Sequence, residues 1–415
     1  MKMTAPVGEK ESTSRYKVDW KRRKYGGVVI RMQLAGNWED TIKAKLLAPF
    51  DDGVLEFFND LSKRLTRVRE YSDVATFGFW CRKAALQNEK KAYDDLDQRL
   101  GRGVVFHSTP SNVPVNFAFS FAAGLLAGNA NIVRLPGKDF EQVNIILDAV
   151  KELLADKHAW LAPYLCFVKY SSDKELHDRF SSLCDVRVVW GGDQTIEDFR
   201  KSPLKPRATE LTFADRYSIA VINAEEYLKA EDKPAIAQAF YNDTYFSDQN
   251  ACTAPRIIFW IGTQKAAAKE AFWANAHALV REKYELAPVS AVNKLAAFYK
   301  AAANTPVSLT GAEDNYLTRI DTGDADEGLM DFKYHSGFFF EHDIEELPDM
   351  LPTCGERLQT LTYYGLKKED LTAFLAEHRP KGIDRAMPMG RSMDFSLIWD
   401  GYDLIRCLSR KVTVL

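Results

Sequence analysis

The stretch GVVFHSTPSNVPVNFAFSFAAGLLAGNANIVRL, residues 103–135, decides the fold class. It begins with a short apolar run after Gly103, which is typical of a buried parallel strand. An apolar helix is predicted over residues 117–126, with Gly128 as its C-terminal cap, and a second strand is predicted over 131–135. The stretch therefore predicts a β-α-β unit. It lacks the GxGxxG fingerprint, so a dinucleotide must bind here in another way.

The alternation of helices and strands continues on both sides of this unit. Upstream, apolar residues at helical spacing predict helices over 54–72 and about 74–100, which we place as an N-terminal helical layer. Downstream, the pattern predicts helices at 140–155 and 174–184 and strands at 164–170, 186–190 and 217–222. Such alternation predicts an open, doubly wound parallel sheet. Ligands bind these sheets at the carboxyl ends of the strands, which here include residues 108–112 and 191–195.

Length and composition exclude several classes of protein. The 415 residues are enough for two domains, and 46% hydrophobic with 27% charged residues is typical of a globular protein. A net charge of −3 gives no global field for nucleic acid. The polar N-terminus and the absence of any apolar run of ~18 residues predict no signal peptide and no membrane span. The six cysteines are scattered without a CxxC pair, which favours reduced thiols in a cytoplasm and no metal site.

A second stretch, FYNDTYFSDQNACTAPRIIFWI over residues 240–261, carries the candidate chemistry. Small or uncharged neighbours, Gln249, Ala251 and Thr253, leave room around Cys252, and an apolar strand follows at once. A thiolate attacks thioesters and aldehydes well, and nearby dipoles lower its pKa for that work. The alternative is that Cys252 is a buried, inert cysteine. Beyond it, the pattern predicts helices at 264–283 and 293–303 and strands at 316–320, 338–341 and 358–363.

Three segments together resemble one family. They are residues 111–114 (SNVP) with the turn at 128–131 (GNAN), residues 249–252 (QNAC), and the tail from 382–385 (GIDR) to 399–401 (WDG). Over roughly residues 74–410 the chain resembles the long-chain acyl-CoA reductases, the fatty acid reductase type of bacterial bioluminescence, within the aldehyde dehydrogenase superfamily. The tail makes the match specific to the acyl reductases.

The resemblance implies an α/β, aldehyde dehydrogenase-like fold of two doubly wound α/β domains. Residues 1–212 would hold the N-terminal helices and the NAD(P)-binding domain, residues 213–390 the catalytic domain, and residues 391–415 a C-terminal tail. The superfamily commonly uses an arm or strand in oligomers, so a homo-oligomer is expected.

The resemblance also implies roles for three catalytic residues. Cys252 matches the nucleophile, and Asn112 matches the asparagine whose side-chain amide holds the oxyanion together with the Cys252 backbone N–H. A helix N-cap would by itself explain an asparagine at position 112. Glu210 matches the general base of the hydrolytic members, but the two glycines that normally follow are Thr212 and Phe213 here. Its role as a base is therefore left open.

The resemblance implies a nicotinamide cofactor, NADPH with NADH as the alternative. Arg134 stands where a lysine usually contacts the adenosine ribose, and Lys138 replaces the usual ribose-binding acid. Losing a carboxylate while keeping positive charge favours a 2′-phosphate. Gly191 and Gly192 match the turn beside the pyrophosphate, and Glu341 is a weaker candidate for a ribose-binding acid late in the fold. Arg134 as a surface residue is the alternative for that position.

The sequence thus predicts NAD(P)H-dependent reduction of a fatty acyl thioester to an aldehyde through an acyl-Cys252 intermediate. The acyl donor would be acyl-CoA, an acyl-carrier protein or an acyltransferase partner. One alternative is an oxidising aldehyde dehydrogenase that forms a free acid, which needs a working base at Glu210. The other is a non-catalytic partner subunit of the same fold, for which Cys252 would be dispensable.

Overall fold

The computed structural model describes residues 37–110, 113–170, 173–311 and 314–415, together with the backbone of two short strands at 21–25 and 28–32. The chain divides into two compact units. The first unit comprises the chain up to Thr212 together with Leu404–Leu415, and the second unit comprises Phe213–Asp403. The segment 391–415, expected as a separate tail, is thus shared between the two units.

The strands of the described residues are, in chain order, β1 Lys21–Tyr25, β2 Val28–Met32, β3 Arg99–Gly101, β4 Val104–Ser108, β5 Ala130–Arg134, β6 Leu165–Val168, β7 Val186–Trp190, β8 Thr209–Phe213, β9 Tyr217–Asn223, β10 Pro255–Ile261, β11 Val307–Thr310, β12 Thr318–Thr322, β13 Phe338–Asp343, β14 Leu358–Tyr364, β15 Arg385–Pro388, β16 Ile398–Trp399, β17 Tyr402–Asp403 and β18 Ser409–Lys411.

The α-helices are α1 Trp38–Thr41, α2 Asp52–Leu65, α3 Ser72–Trp80, α4 Lys83–Lys90, α5 Asn116–Leu126, α6 Glu141–Ala155, α7 Lys174–Leu183, α8 Asp193–Arg200, α9 Ala224–Lys229, α10 Lys233–Asp243, α11 Lys265–Lys283, α12 Pro288–Ala302, α13 Lys368–His378 and α14 Leu404–Leu408. Short 3-10 helices lie at Leu96–Gln98, Ala159–Tyr164, Tyr245–Ser247, Glu327–Phe332 and Leu347–Thr353.

The first unit is built on a five-stranded sheet of order β6-β5-β4-β7-β8, in which β4 pairs in parallel with β5 and β7, and β5 with β6. All five residues of β4 are buried, as the apolar run predicted. Helix α5 begins at Asn116, four residues after the asparagine expected to cap it, and Val115 occupies its N-cap position. Gly128 follows its C-terminal end with φ +91°, a conformation that favours glycine.

The expected N-terminal helical layer is present, but its second helix is broken. The predicted helix over 74–100 is divided into α3, α4 and a 3-10 turn, and its last residues form β3. Strand β3 pairs antiparallel with β18. Helix α2 carries Leu55, Phe58, Leu61 and Leu65 on its buried face, which is the amphipathic pattern that predicted it.

The second unit contains a seven-stranded sheet of order β11-β12-β13-β10-β9-β14-β15. Its strands run parallel except for β11, which pairs antiparallel with β12. Two apolar clusters pack on its faces, one centred on Ile219, Phe259 and Phe340 and the other on Trp260, Phe272 and Phe339. Alternate residues of β10 and β13 therefore serve opposite faces, as a sheet covered on both sides requires.

Candidate active site

The loop that carries Cys252 ends at the amino end of β10. In a parallel sheet the amino ends of the neighbouring strands lie at the same edge, so the residues that lead into β9, β13, β14 and β15 meet there. The Cys252 carbonyl accepts a hydrogen bond of 2.7 Å from Ser218 Oγ at the start of β9. The candidate nucleophile thus lies at the amino edge of this sheet and not at a carboxyl edge.

Gln249 fixes the loop ahead of the cysteine. Its side chain is fully buried, and its amide nitrogen donates to the carbonyls of Pro255 (3.1 Å) and Phe338 (3.0 Å). Its amide oxygen accepts from the N–H groups of Gly337 and Phe338 at 3.0 and 3.1 Å. Gln249 also has a left-handed φ of +56°, which is strained for a residue with a side chain. Four buried hydrogen bonds offset that strain and tie the loop to β13.

Arg256 supports the same loop from the start of β10. Its guanidinium donates to the carbonyls of Gln249 and Tyr334. Burial lowers the pKa of Arg256 to about 10, against the opposing charge of Asp215. The register of β9 against β10 shifts between Pro255 and Ile257, so Arg256 is the extra residue of a bulge. A bulge of this kind redirects a side chain, here towards the loop.

Cys252 differs from the other five cysteines in its exposure. All six lie within the described residues; Cys252 is exposed, Cys407 is partly buried, and the remainder are buried: Cys81, Cys166, Cys184 and Cys354. Cys252 lines a cavity of about 260 Å³ in the second unit. The other lining residues are Asp215, Arg216, Asn250, Arg256, Lys333, Tyr334 and His335. The thiol is therefore the one of the six that an external carbonyl can reach most directly.

The thiol is not activated at rest. Although Cys252 reaches solvent, burial of its sulfur and then the negative charge of Asp400 raise the pKa of the thiol to about 11. The side-chain amide of Gln359 and the charge of Arg216 act in the opposite direction. Since an ordinary cysteine has a pKa of about 8.5, only a small fraction of Cys252 is thiolate near neutral pH.

Polar groups also converge at the carboxyl edge of the first unit's sheet. Arg134, the last residue of β5, lies over the ring of Tyr170 at 5.0 Å and donates to Ser108 Oγ at 3.3 Å. The Arg134 Nε and the Tyr170 hydroxyl are buried and have no hydrogen-bond partner among the described residues. Unpaired buried donors are costly, and a ligand that accepted from them would remove the cost.

Lys138 is exposed, and its backbone carbonyl accepts from Lys169 Nζ at 3.3 Å. The sequence argument for a cationic cofactor site passed over Asp139, the next residue. The structure pairs Asp139 with Lys169, so a second lysine accompanies the carboxylate. Among Arg134, Lys138, Asp139 and Lys169, three cations therefore accompany one carboxylate.

Gly191 and Gly192 form the turn between β7 and α8, and Gly192 is the N-cap residue of α8. A Cβ atom on Gly192 would meet no atom of the described residues within 4 Å, whereas one on Gly191 would lie 2.9 Å from Thr195. Within the described part of the chain, the Gly192 side of the turn thus leaves open space above the helix N-terminus, where backbone N–H groups favour anions.

Glu210 lies on β8 of the first unit between two arginines. One carboxylate oxygen accepts from Arg187 at 2.7 Å and the other from Arg200 at 3.0 Å. Arg187 is itself buried and also donates to Ser202 and Ser181. Each oxygen of Glu210 is therefore already engaged by a charge-assisted hydrogen bond.

Glu341 on β13 is buried inside the second unit. One of its oxygens accepts from the indoles of Trp260 and Trp273 at 3.0 and 2.9 Å, and the other accepts from Arg319 at 2.5 Å. Its exposure is 1%, which leaves no carboxylate oxygen open to a ribose. Both oxygens of the Glu341 carboxylate are thus engaged inside the second unit, so its position lends no support to the expected ribose contact. The expectation for Asn112 lies outside the described residues.

Sequence reasoning missed three residues around the thiol: Arg216, Gln359 and Asp400. Gln359 and Thr360 are the two polar residues between the apolar Leu358 and Leu361, and an amide side chain inside an otherwise apolar strand is a usable sequence signal. Asp400 belongs to the segment 399–401 that carries the family resemblance, and nothing in the sequence indicates that a hairpin brings it close to Cys252.

No helix among the described residues is long and apolar enough to cross a membrane.

Comparisons with known proteins agree with this fold. A family profile described as "Acyl-CoA reductase (LuxC)" matches residues 51–302. The long-chain acyl-protein thioester reductase of Aliivibrio fischeri is 26% identical over 162 residues, which cover 39% of this chain and 32% of that protein. The corresponding protein of Vibrio harveyi is 21% identical over 372 residues, covering 80% and 70%. The chain thus spans about a third of the first of these relatives.

Solved structures show the same fold. A 1-pyrroline-5-carboxylate dehydrogenase mutant of Thermus thermophilus aligns with a TM-score of 0.60 at 12% identity, over 90% of this chain and 82% of that one. An NAD-dependent benzaldehyde dehydrogenase of Corynebacterium glutamicum aligns with a TM-score of 0.57 at 11% identity, over 90% and 86%. The predicted aldehyde dehydrogenase-like α/β fold is confirmed.

Proposed function

This chain belongs to the acyl-CoA reductase (LuxC) family, and from that premise we propose that it reduces a fatty acyl thioester to an aldehyde through an acyl group held on Cys252. The observation that carries the proposal is the placement of Cys252. It is exposed beside a cavity of about 260 Å³, on a loop that four buried hydrogen bonds of Gln249 hold in place. A rigid, reachable thiol suits attack on a carbonyl.

The acyl transfer needs no activated water. The Cys252 sulfur bonds to the thioester carbon, the bond from that carbon to the donor sulfur breaks, and the proton of Cys252 goes to the departing thiolate. Asn112 and the Cys252 backbone N–H are the proposed donors to the oxyanion, and one such donor is typically worth ~3 kcal/mol. Glu210, engaged by two arginines, has no part in this sequence. Reduction and release of the aldehyde return Cys252 to its thiol.

A nicotinamide cofactor supplies the hydride for that reduction when it is bound. The first unit fits such a group, because Arg134 Nε and the Tyr170 hydroxyl are buried without hydrogen-bond partners among the described residues, and there is open space beside Gly192. Arg134 and Lys138 are the proposed cations for a ribose 2′-phosphate, so NADPH is the proposed cofactor, with NADH accepted less well.

The proposed acyl donor is acyl-CoA, an acyl-carrier protein or an acyltransferase that presents its acyl group as a thioester. We also propose that the protein works as a homo-oligomer, as the superfamily commonly does. Neither proposal changes the chemistry at Cys252, since each donor delivers the same carbonyl to the same sulfur.

The test is to mix the protein with a long-chain acyl-CoA without cofactor and to follow its intact mass. One acyl group should appear and map to the peptide that contains Cys252, and NADPH should then discharge it as aldehyde. Cys252→Ala should show neither step. Cys407→Ala, which changes a partly buried cysteine of the first unit, is the matched control and should behave as the unaltered protein.

Three results would overturn the proposal. Conversion of an aldehyde with NADP to free acid, without an acyl adduct, would indicate an oxidising dehydrogenase. Acylation of a different cysteine would show that residues 249–252 are not the site. No reaction with any acyl chain length or donor would favour a non-catalytic subunit.

A further inference from the structure

The tail places a carboxylate next to the thiol by means of a tight hairpin. Strands β16 and β17 are joined by two residues, Asp400 with φ +50° and Gly401 with φ +75°. Positive φ at both central positions is the type I′ hairpin turn, for which Asp-Gly and Asn-Gly are the favoured pairs. Asp400 is 8% exposed, so the hairpin delivers its carboxylate into the protein. Arg385 lies over Trp399 at 4.2 Å and holds the hairpin in place.

Gln359 links this carboxylate to the loop that carries Cys252. Its amide nitrogen donates to Asp400 Oδ1, and the backbone N–H of the next residue, Thr360, donates at 3.3 Å to the Ser218 hydroxyl that in turn donates to the Cys252 carbonyl. The Gln359 side chain also lowers the pKa of the Cys252 thiol. Its amide oxygen has no hydrogen-bond partner among the described residues. The orientation of the amide is therefore set by the hydrogen bond that its nitrogen donates to the Asp400 carboxylate. The register of β14 against β9 shifts between Leu358 and Thr360, which makes Gln359 a bulge residue.

Other charged side chains lie near Asp400 and Gln359. Arg216 is ion-paired with Asp384 and donates to the Leu358 carbonyl at 2.5 Å. Burial raises the pKa of Asp400, while the hydrogen bond from Gln359 and the charges of Arg216 and Arg385 act in the opposite direction. In its charged form, the Cys252 thiolate would raise the pKa of Arg256 and Arg385. The sulfur is thus surrounded by charges of both signs, among which Asp400 is the acid with the largest effect on it.

We propose that Asp400 and Gln359 are a positioning pair for the nucleophile. Gln359 presents an amide N–H to the Cys252 sulfur, and Asp400 fixes that amide while its charge disfavours a free thiolate. Neither residue exchanges a proton with the substrate. Asp400 acts through Gln359 and through its charge.

The pair has a consequence for acyl transfer, and this part rests on the proposed function. The adduct between Cys252 and a thioester can expel either sulfur, and the thiolate of lower pKa leaves faster. Because Asp400 disfavours the Cys252 thiolate, the donor sulfur leaves and the acyl group stays on the enzyme. Gln359 supplies the compensating donor when Cys252 is finally released from the aldehyde.

The experiment is alkylation of the purified full chain by iodoacetamide as a function of pH, with peptide mapping to read Cys252 separately. In the unaltered protein the rate at Cys252 should rise about tenfold per pH unit between pH 7 and 9.5 without a plateau, since the pKa of about 11 lies above that range. Asp400→Asn keeps a turn-forming residue and an acceptor for Gln359 but removes the charge. It should raise the rate at pH 7.5 roughly tenfold.

Gln359→Met keeps the volume of the side chain and removes the donor. It should lower the rate at pH 7.5 roughly fivefold, opposite in sign to the aspartate variant. Asp394→Asn is the matched control, because Asp394 is an exposed acid of the same tail that is paired with Arg391, and its rate should not change. A general loosening of the fold would speed both variants and would also label the buried Cys166.

An unchanged or slower rate in Asp400→Asn, a faster rate in Gln359→Met, or an equal effect in Asp394→Asn would overturn the proposal. A second measurement separates it from the reductase proposal. In a mixture of excess acyl-CoA and free CoA, the equilibrium constant for acyl transfer to Cys252 should be roughly threefold lower in Asp400→Asn. A smaller fraction of Cys252 should therefore be acylated at equilibrium. If the unaltered protein takes up no acyl group while the alkylation rates shift as stated, the reductase proposal fails and the positioning pair stands.

Discussion

The two sheet edges that carry the candidate site residues satisfy their polar groups in different ways. At the carboxyl edge of the first unit, Arg134 Nε and the Tyr170 hydroxyl are buried without partners among the described residues. At the amino edge of the second unit, the loop with Cys252 rests on Gln249, whose amide makes four hydrogen bonds. The first edge leaves buried donors unpaired among the described residues, as the proposed cofactor site requires, whereas the second uses its polar groups to fix the loop that carries the proposed nucleophile.

The difference teaches that a site for binding and a site for covalent chemistry leave different marks on a structure. A binding edge shows unsatisfied polar groups that a ligand later satisfies, at a cost to the free protein. A nucleophile gains from a rigid frame, because a misplaced thiol loses the geometry of attack. Substitutions that affect one edge and not the other test this distinction.

The largest effect is expected from Gln249→Ala. It leaves the N–H groups of Gly337 and Phe338 and the carbonyls of Pro255 and Phe338 without their partner in a buried place. The free energy of unfolding should fall by about 3 kcal/mol, and acylation of Cys252 should fall in the molecules that remain folded. Urea unfolding and intact mass measure the two effects.

Gln87→Ala is the matched control for stability, because Gln87 is exposed on α4. It should change the free energy of unfolding by less than about 0.5 kcal/mol. Equal stability in the Gln249 and Gln87 variants would mean that the loop does not depend on the buried amide, and the contrast between the two edges would be lost.

A smaller effect is expected at the binding edge from Arg134→Met. Loss of a charge-assisted contact to a 2′-phosphate should weaken NADPH binding roughly tenfold and NADH binding much less, while the free energy of unfolding stays unchanged or rises. Titration with each cofactor, followed by fluorescence, measures this. Lys201→Met removes an exposed, ion-paired lysine of the same unit and serves as the control. Equal losses for both cofactors would show that Arg134 does not select the 2′-phosphate.

Local sequence patterns predicted most of the fold. Apolar runs and helical spacing located β4, α5, β5, β7 and β10, because those patterns reflect burial on one or two faces. Continuous helix over 74–100 was wrong, since α3 and α4 are separate helices and the segment ends in β3. Spacing within 27 residues cannot show where tertiary packing ends each helix.

The candidate site was harder to predict because its geometry comes from distant segments. Cys252 was visible from its neighbours in sequence, but Gln359 reaches it only through a register shift against β9, and Asp400 through a hairpin more than a hundred residues later. The surroundings of Glu341 could not be predicted for the same reason: the indoles that contact it belong to Trp260 and Trp273 on other elements. Long-range pairing of this kind leaves no local pattern.

The smallest effect on turnover is expected from Glu210→Gln. If acyl transfer and reduction involve no activated water, removing this carboxylate's charge should change the reductase rate per folded molecule by less than about threefold. Because Arg187 is buried and loses its ion-pair partner, the free energy of unfolding should fall by about 2 kcal/mol, so rates must be normalised to the folded fraction. Initial rates of aldehyde formation, with Cys252→Ala as the inactive reference, measure the first effect. A loss as deep as that of Cys252→Ala would mean that Glu210 takes part in the chemistry. Its two arginines would then be a resting arrangement that the reaction has to open, and the contrast between a binding edge and a reacting edge would no longer hold.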